Sequence, residues 1–186
     1  MQVDNTRLNY GPKKFVVWLF IVASVMVFAA LTSAYIVLKA QGHWLHFLLP
    51  PVFNFNTIII VSSSITLHAA YISAERLKFA RQKVLLWVTL GLGVLFLAGQ
   101  WVAWTVLVHN GVFFSGNPSG SFLYVISGFH AVHIFAGLFL IVYAITGIYS
   151  DVLQAKNLYR LQIAGIFWHF LDILWIYLYV FLLLNQ

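Results

Sequence analysis

Apolar and polar positions separate into long alternating blocks along the chain. Five apolar runs each reach about 20 residues or more, the length needed to cross a hydrocarbon core as an α-helix. The pattern predicts an all-α fold, a polytopic membrane protein built as a bundle of five transmembrane helices over about residues 15–38, 52–73, 84–108, 121–149 and 161–184. No soluble-type stretch exceeds about a dozen residues, so 1–186 reads as a single transmembrane domain. Residues 1–14 read as an interfacial tail, with Tyr10-Gly11-Pro12 as a turn before the first helix. Pro50-Pro51 breaks helix ahead of the second run, and His43, Trp44 and His46 in that loop suit an interface. Glu75 to Lys83, His109 to Ser121 and Asp151 to Arg160 are the remaining loops, with Asn117-Pro118-Ser119-Gly120 as a turn.

Small and polar residues inside the runs show which faces meet protein. The first run carries Ala23-Ser24, Ala29-Ala30 and Thr32-Ser33-Ala34, a face that admits another helix closely. The second holds Asn54, Asn56, Ser62-Ser63-Ser64, Thr66 and His68, and is expected to face other helices rather than lipid. Gly91, Gly93 and Gly99 allow close packing of the third.

Composition agrees with this class: 62% of residues are hydrophobic and only 8% charged, against roughly 25% charged in a soluble domain. The net charge of +6 is a topology signal and not a nucleic-acid footprint. With the N-terminus inside, the inner segments hold Arg7, Lys13, Lys14, Arg76, Lys78, Arg81, Lys83, Lys156 and Arg160, and the outer ones only Lys39. This asymmetry predicts a cytoplasmic N-terminus. The first run is too long for a cleaved signal h-region and is expected to be a mature helix. The absence of cysteine excludes thiolate copper and iron–sulfur ligation. No repeat of 20–50 residues is visible, against an inverted-repeat transporter.

Candidate chemistry concentrates in the last two runs. Asp172 is the only acid in any long apolar run, and an aspartate at the centre of a lone membrane helix costs about 2.5–3.5 kcal/mol on insertion scales. His169 lies one turn before it on the same helix face. His130 and His133 lie in the preceding run. Helical rise places His133 roughly 17 Å below the outer face, and His169 and Asp172 roughly 13 and 18 Å above the inner one, all near the midplane. Helices 4 and 5 should be antiparallel neighbours, so the expectation is a polar clamp of His130, His133, His169 and Asp172 joining them, screened from lipid by Trp168 and Trp175. Two other readings stand beside it: a proton-handling site, and a metal or haem site using His68, His133 or His169. No catalytic, cofactor-binding or metal-binding residue is assigned.

Gly128-Phe129-His130-Ala131-Val132-His133-Ile134-Phe135-Ala136-Gly137 resembles the Gly-Phe-His-x-x-His-x-x-x-Gly signature of subunit III of the haem–copper terminal oxidases. Trp168-His169-Phe170-Leu171-Asp172-Ile173-Leu174-Trp175 resembles the Trp-His-Phe-x-Asp-x-x-Trp ending of that family, and Asn56-Thr57 with Ser64-Ile65-Thr66 resembles its second conserved helix. The resemblance covers nearly the whole chain, in the shorter bacterial form of five spans. It implies a multi-pass, non-catalytic subunit of a proton-pumping respiratory oxidase in the bacterial cytoplasmic (inner) membrane. Such a subunit would pack on the catalytic subunit I, in one complex with subunit II. It would bind structural phospholipids and support proton uptake, with haem and copper held by the catalytic partner and none by this chain. Two departures accompany it. Ser24 stands near the position of a buried carboxylate often found in the family, and Gln100-Trp101-Val102-Ala103-Trp104 lacks a glutamate common near the end of the third helix. The rival functions are a small haem-binding membrane cytochrome and a related component of a nitric-oxide-reducing complex.

Overall fold

The structure is a computed structural model that describes residues 11–42, 50–115, 117–149 and 154–185. Its regular elements are five α-helices: α1 (Gly11–Lys39), α2 (Val52–Glu75), α3 (Phe79–His109), α4 (Pro118–Tyr149) and α5 (Gln154–Leu184). All five contain a stretch long and apolar enough to cross a membrane, as the block pattern predicts. The loop histidines His43 and His46, with Trp44, lie outside the described residues, as does the tail before Gly11.

Helix extends past the apolar runs at several ends, because hydropathy registers the hydrocarbon layer and not the end of hydrogen bonding. Gly11 and Pro12, expected in a turn, open α1. The basic segment expected as a loop from Glu75 to Lys83 narrows to Arg76-Leu77-Lys78, with Arg81 and Lys83 already helical. Lys156 and Arg160 likewise belong to α5. Asn117-Pro118 is a helix start: the Asn117 side chain accepts from the Ser119 backbone N–H at 3.0 Å, and Pro118 begins α4 where its missing N–H costs nothing.

The ends of α2 and α3 use one device with two different residues. Leu77 N–H donates to Ala74 and Lys78 N–H to Ser73, the paired bonds of a Schellman ending. Gly111 N–H to Val108 and Val112 N–H to Leu107 repeat it after α3. The motif needs a left-handed residue. Gly111 supplies it at φ 79°, whereas Leu77 adopts φ 57° with a side chain attached.

Helices α2, α3, α4 and α5 form a closed ring of neighbours, with α2 against α3, α3 against α4, α4 against α5 and α5 against α2. Among the described residues, α1 packs only on α4 and α5, outside the ring. Its buried line is Ile21, Ser24, Phe28, Thr32 and Tyr35. Ser24 and Thr32 from the expected small-residue face are therefore covered, whereas Ala23, Ala29, Ala30 and Ser33 point outward. Lipid tails are as apolar as leucine, so close packing and interhelical hydrogen bonds hold such a ring together more than removal from water does.

Candidate functional site

Trp168 occupies the centre of the ring. It is fully buried, and its indole N–H donates to Ser63 Oγ of α2 at 2.7 Å. One edge of the indole lies against Gly93 of α3: a Cβ there would stand 2.8 Å from Trp168 Cη2. Another edge lies against Gly137 of α4, where a Cβ would stand 2.9 Å from Trp168 Cε3. One side chain of α5 thus touches all three other helices of the ring, and two glycines make room for it. Trp175, a further two turns along, donates to Thr57 Oγ1 at 3.1 Å and stacks on Phe53. Both tryptophans were expected as a screen against lipid; they are the middle of the core.

The bonds from Trp168 and Trp175 belong to a hydrogen-bonded seam between α2 and α5. From one end to the other it pairs Asn54 with Tyr179, Thr57 with Trp175, Ser63 with Trp168, Ser64 with His169, and the Ala74 carbonyl with Gln154. Apart from the adjacent pairs at Ser63 and Ser64, residue numbers rise on α2 as they fall on α5, so the two helices run antiparallel. The hydroxyl-rich α2 therefore faces protein as expected, with α5 as its polar partner. Reciprocal amide bonds between Gln82 and Asn157, both 3.4 Å, tie α3 to the start of α5.

The four residues of the expected α4–α5 clamp separate into three environments. His169 Nδ1 lies 2.6 Å from Ser64 Oγ and 3.8 Å from Asp172 Oδ2, so this pair belongs to the α2–α5 seam. His133 turns the other way: Nε2 is 3.1 Å from Ser24 Oγ on α1, and Nδ1 is 2.7 Å from the Phe129 carbonyl. Both its ring nitrogens are thereby engaged away from Asp172. Ser24, the residue standing near the position of the family's carboxylate, is thus the one that meets His133. His130 is fully buried among rings, stacked on Trp175 with centroids 5.1 Å apart and edge-on to Phe96 and Phe28. Neither its ring nitrogens nor the Asp172 oxygens have a hydrogen-bond partner among the described residues. Ser64 and His169 are the polar side chains that face the Asp172 carboxylate, at longer range than a hydrogen bond. No group of three or more His, Cys, Asp or Glu side chains converges on one point among the described residues.

The seam partners Thr57, Ser63 and Ser64 were named only as part of a protein-facing helix. A signal for them exists in the sequence. A buried indole N–H must find an acceptor, Trp168 and Trp175 are seven residues apart, and α2 offers hydroxyls at Thr57 and at Ser63-Ser64 with nearly the same separation.

Residues 4–185 match the model of the family described as cytochrome c oxidase subunit III. A probable cytochrome c oxidase subunit 3 of Nocardia farcinica is 31% identical over 174 residues, covering 88% of this chain and 82% of that protein. Cytochrome c oxidase subunit 3 of Thermostichus vulcanus is 28% identical, with the same coverage of each chain. Subunit 3 of a cytochrome bo(3) ubiquinol oxidase of Buchnera aphidicola is 29% identical over 178 residues, 90% of this chain and 88% of that one. With the match running through nearly every residue of all five helices, the chain belongs to the cytochrome c oxidase subunit III family and, by that membership, is a multi-pass membrane subunit of a cytochrome oxidase complex.

Proposed function

We propose that this chain is the non-catalytic subunit III of a proton-pumping terminal oxidase that reduces oxygen to water, where it stabilises the catalytic subunit I alongside subunit II and supports proton uptake. The observation that carries the reading is the dispersal of His130, His133 and His169. His130 stacks on Trp175, His133 meets Ser24, and His169 meets Ser64. Each serves a different seam between helices, the pattern of a scaffold. The side chains that fill the centre of the ring are tryptophans, not ligands.

Orientation and lipid binding belong to the same proposal. Nine basic residues on one side against Lys39 on the other favour a cytoplasmic N-terminus in the bacterial inner membrane. Val16, Phe20, Phe139, Leu140 and Phe167 line a groove of about 310 Å³ between α1, α4 and α5. Its apolar lining suits a phospholipid acyl chain.

The test is purification of the tagged chain in mild detergent. Subunits I and II carrying haem and copper should co-purify, with phospholipid retained. The chain separated from them should show no Soret absorption and no stoichiometric copper. Either signal in the separated chain overturns the reading in favour of a small cytochrome or metal protein. Co-purification with a nitric-oxide-reducing partner would replace the oxygen-reducing one.

A further inference from the structure

The outward faces of the helices are almost wholly apolar. On α1 they show Phe15, Trp18, Val22 and Met26, on α3 Val84, Val88 and Leu95, and on α4 Val132, Phe135 and Phe139. The α2–α5 seam is an exception. It opens into a groove of about 230 Å³ whose polar lining is His68, Tyr71, Gln162 and His169, with Gly165 in its wall. Leu67, Leu161 and Ile166 complete the lining; at roughly 10–15 Å³ per water the volume has room for several, with the four polar side chains as partners.

The groove connects titratable groups at graded depth. At its mouth, beside the α2–α3 turn, the side chains of Tyr71 and exposed Glu75 interact. One turn deeper on α2 is His68, whose ring centroid lies 6.2 Å from that of His169. His169 turns Nδ1 inward, 2.6 Å from Ser64 Oγ and 3.8 Å from Asp172 Oδ2, so its opposite ring edge is the one that lines the groove. Asp172, 4% exposed, ends the line. The other elements against α5 bring no competing charge to it. His130 and His133 of α4 contact Trp175 and Ser24, and Lys39 of α1 binds Asn185 at the far end. A bare carboxylate at this depth is costly, and one proton on the Asp172–His169 pair makes it neutral overall in either form.

We propose that Asp172 and His169 form a proton-exchange site near the membrane midplane, loaded through the α2–α5 groove past His68 from the side of the α2–α3 turn. A proton reaching Nε2 of neutral His169 is matched by release of the Nδ1 proton to Asp172 Oδ2, the two atoms closing from their resting separation of 3.8 Å. The imidazole ends neutral in its other tautomer, and the carboxylate ends as the acid. The reverse sequence returns the proton to the groove. Asp172 is the terminus, so the site takes up and gives back one proton and is not a channel across the membrane. The use of that proton rests on the proposed support of proton uptake; its exchange does not need turnover, so the two stand or fall by different measurements.

The experiment is infrared spectroscopy of the resting oxidase complex in phospholipid vesicles on transfer from H2O to D2O. Bands that Asp172→Asn abolishes are assigned to the pair, and their deuterium shift is timed. The expected result is at least tenfold slower exchange in His68→Phe and in Gly165→Leu. Gly165→Leu narrows the groove without removing a titratable group, and a Cβ at that position meets nothing within 4 Å. Gly91→Leu, at an equally open position on α3, is the control and should exchange at the unmodified rate. The proposal is overturned if no exchange-sensitive band depends on Asp172, or if Gly165→Leu exchanges as fast as Gly91→Leu.

Discussion

Two glycines of one helix give opposite expectations for the same substitution. Gly128 and Gly137 both lie in α4, and both belong to the Gly-Phe-His signature. Alanine at either gains the same helix propensity, up to about 1 kcal/mol. At Gly128 the new Cβ meets nothing within 4 Å. At Gly137 it would lie 2.9 and 3.0 Å from two ring atoms of Trp168, and 3.0 Å from Leu171 Cδ1. The indole cannot easily retreat. Its Cη2 already faces Gly93 across the ring, and its N–H is held at 2.7 Å by Ser63. Overpacking of this kind costs about 1–3 kcal/mol. Because propensity cancels between two sites on one helix, the difference between Gly137→Ala and Gly128→Ala isolates the packing term, again about 1–3 kcal/mol. That is roughly a 5- to 150-fold difference in folding constant.

The assay is reversible unfolding in mixed micelles of increasing denaturing-detergent fraction, followed by far-UV circular dichroism and tryptophan fluorescence. Trp168→Phe supplies the internal check. A smaller ring makes room for the added methyl, so Gly137→Ala should cost less on the Trp168→Phe background than on the parent, a coupling that a double-mutant cycle reads directly. Equal stability of Gly137→Ala and Gly128→Ala, or strict additivity with Trp168→Phe, would refute the placement of Trp168 against Gly137.

Three further outcomes follow from particular contacts. Leu77→Gly should stabilise the chain by about 1 kcal/mol in the same assay, because Leu77 holds a left-handed conformation that Gly111 adopts freely in the equivalent motif. Ser63→Ala should cost about 1 kcal/mol, since it strands the buried Trp168 N–H, and Ser63→Thr should recover most of it. Asp172→Leu should leave the isolated chain's stability unchanged or raised, because neither carboxylate oxygen has a hydrogen-bond partner to lose; a loss above 2 kcal/mol would show a strong bond to that carboxylate.

The number and order of helices were legible because a membrane removes most alternatives. A long run of apolar residues with few charges has one stable backbone conformation in lipid. Helix ends were less legible. Once outside the hydrocarbon, residues such as Gln154, Lys156 and Asn157 stay helical through tertiary bonds, here Gln154 to the Ala74 carbonyl and Asn157 to Gln82. Those bonds join segments about 75 positions apart in the chain, and no local pattern announces them.

The midplane residues show what depth alone leaves undetermined. Rise per residue gives height, and height places His133, His169 and Asp172 in one layer. It says nothing of azimuth, which advances about 100° per residue. On α4, Gly137 faces Trp168 of α5, and His133, four positions earlier, is rotated about 40° from it. That rotation is enough to turn His133 onto Ser24 of α1. On α5, Trp168 faces α4, and Asp172 lies about 40° from it, on the side of His169 and α2. Neighbouring helices thus carry their polar residues to opposite edges of a shared contact, and the contact itself is glycine against tryptophan. An azimuthal reference was present in the sequence in Gly137, the glycine that closes the signature. Gly137 marks the face where another helix comes close, and His130, seven residues before it, lies within about 20° of the same direction. That puts His130 in the core, where it stacks on Trp175, and sends His133 toward α1. Fixing the glycine face first and assigning polar partners second would have separated the scaffold histidines from the pair at Asp172.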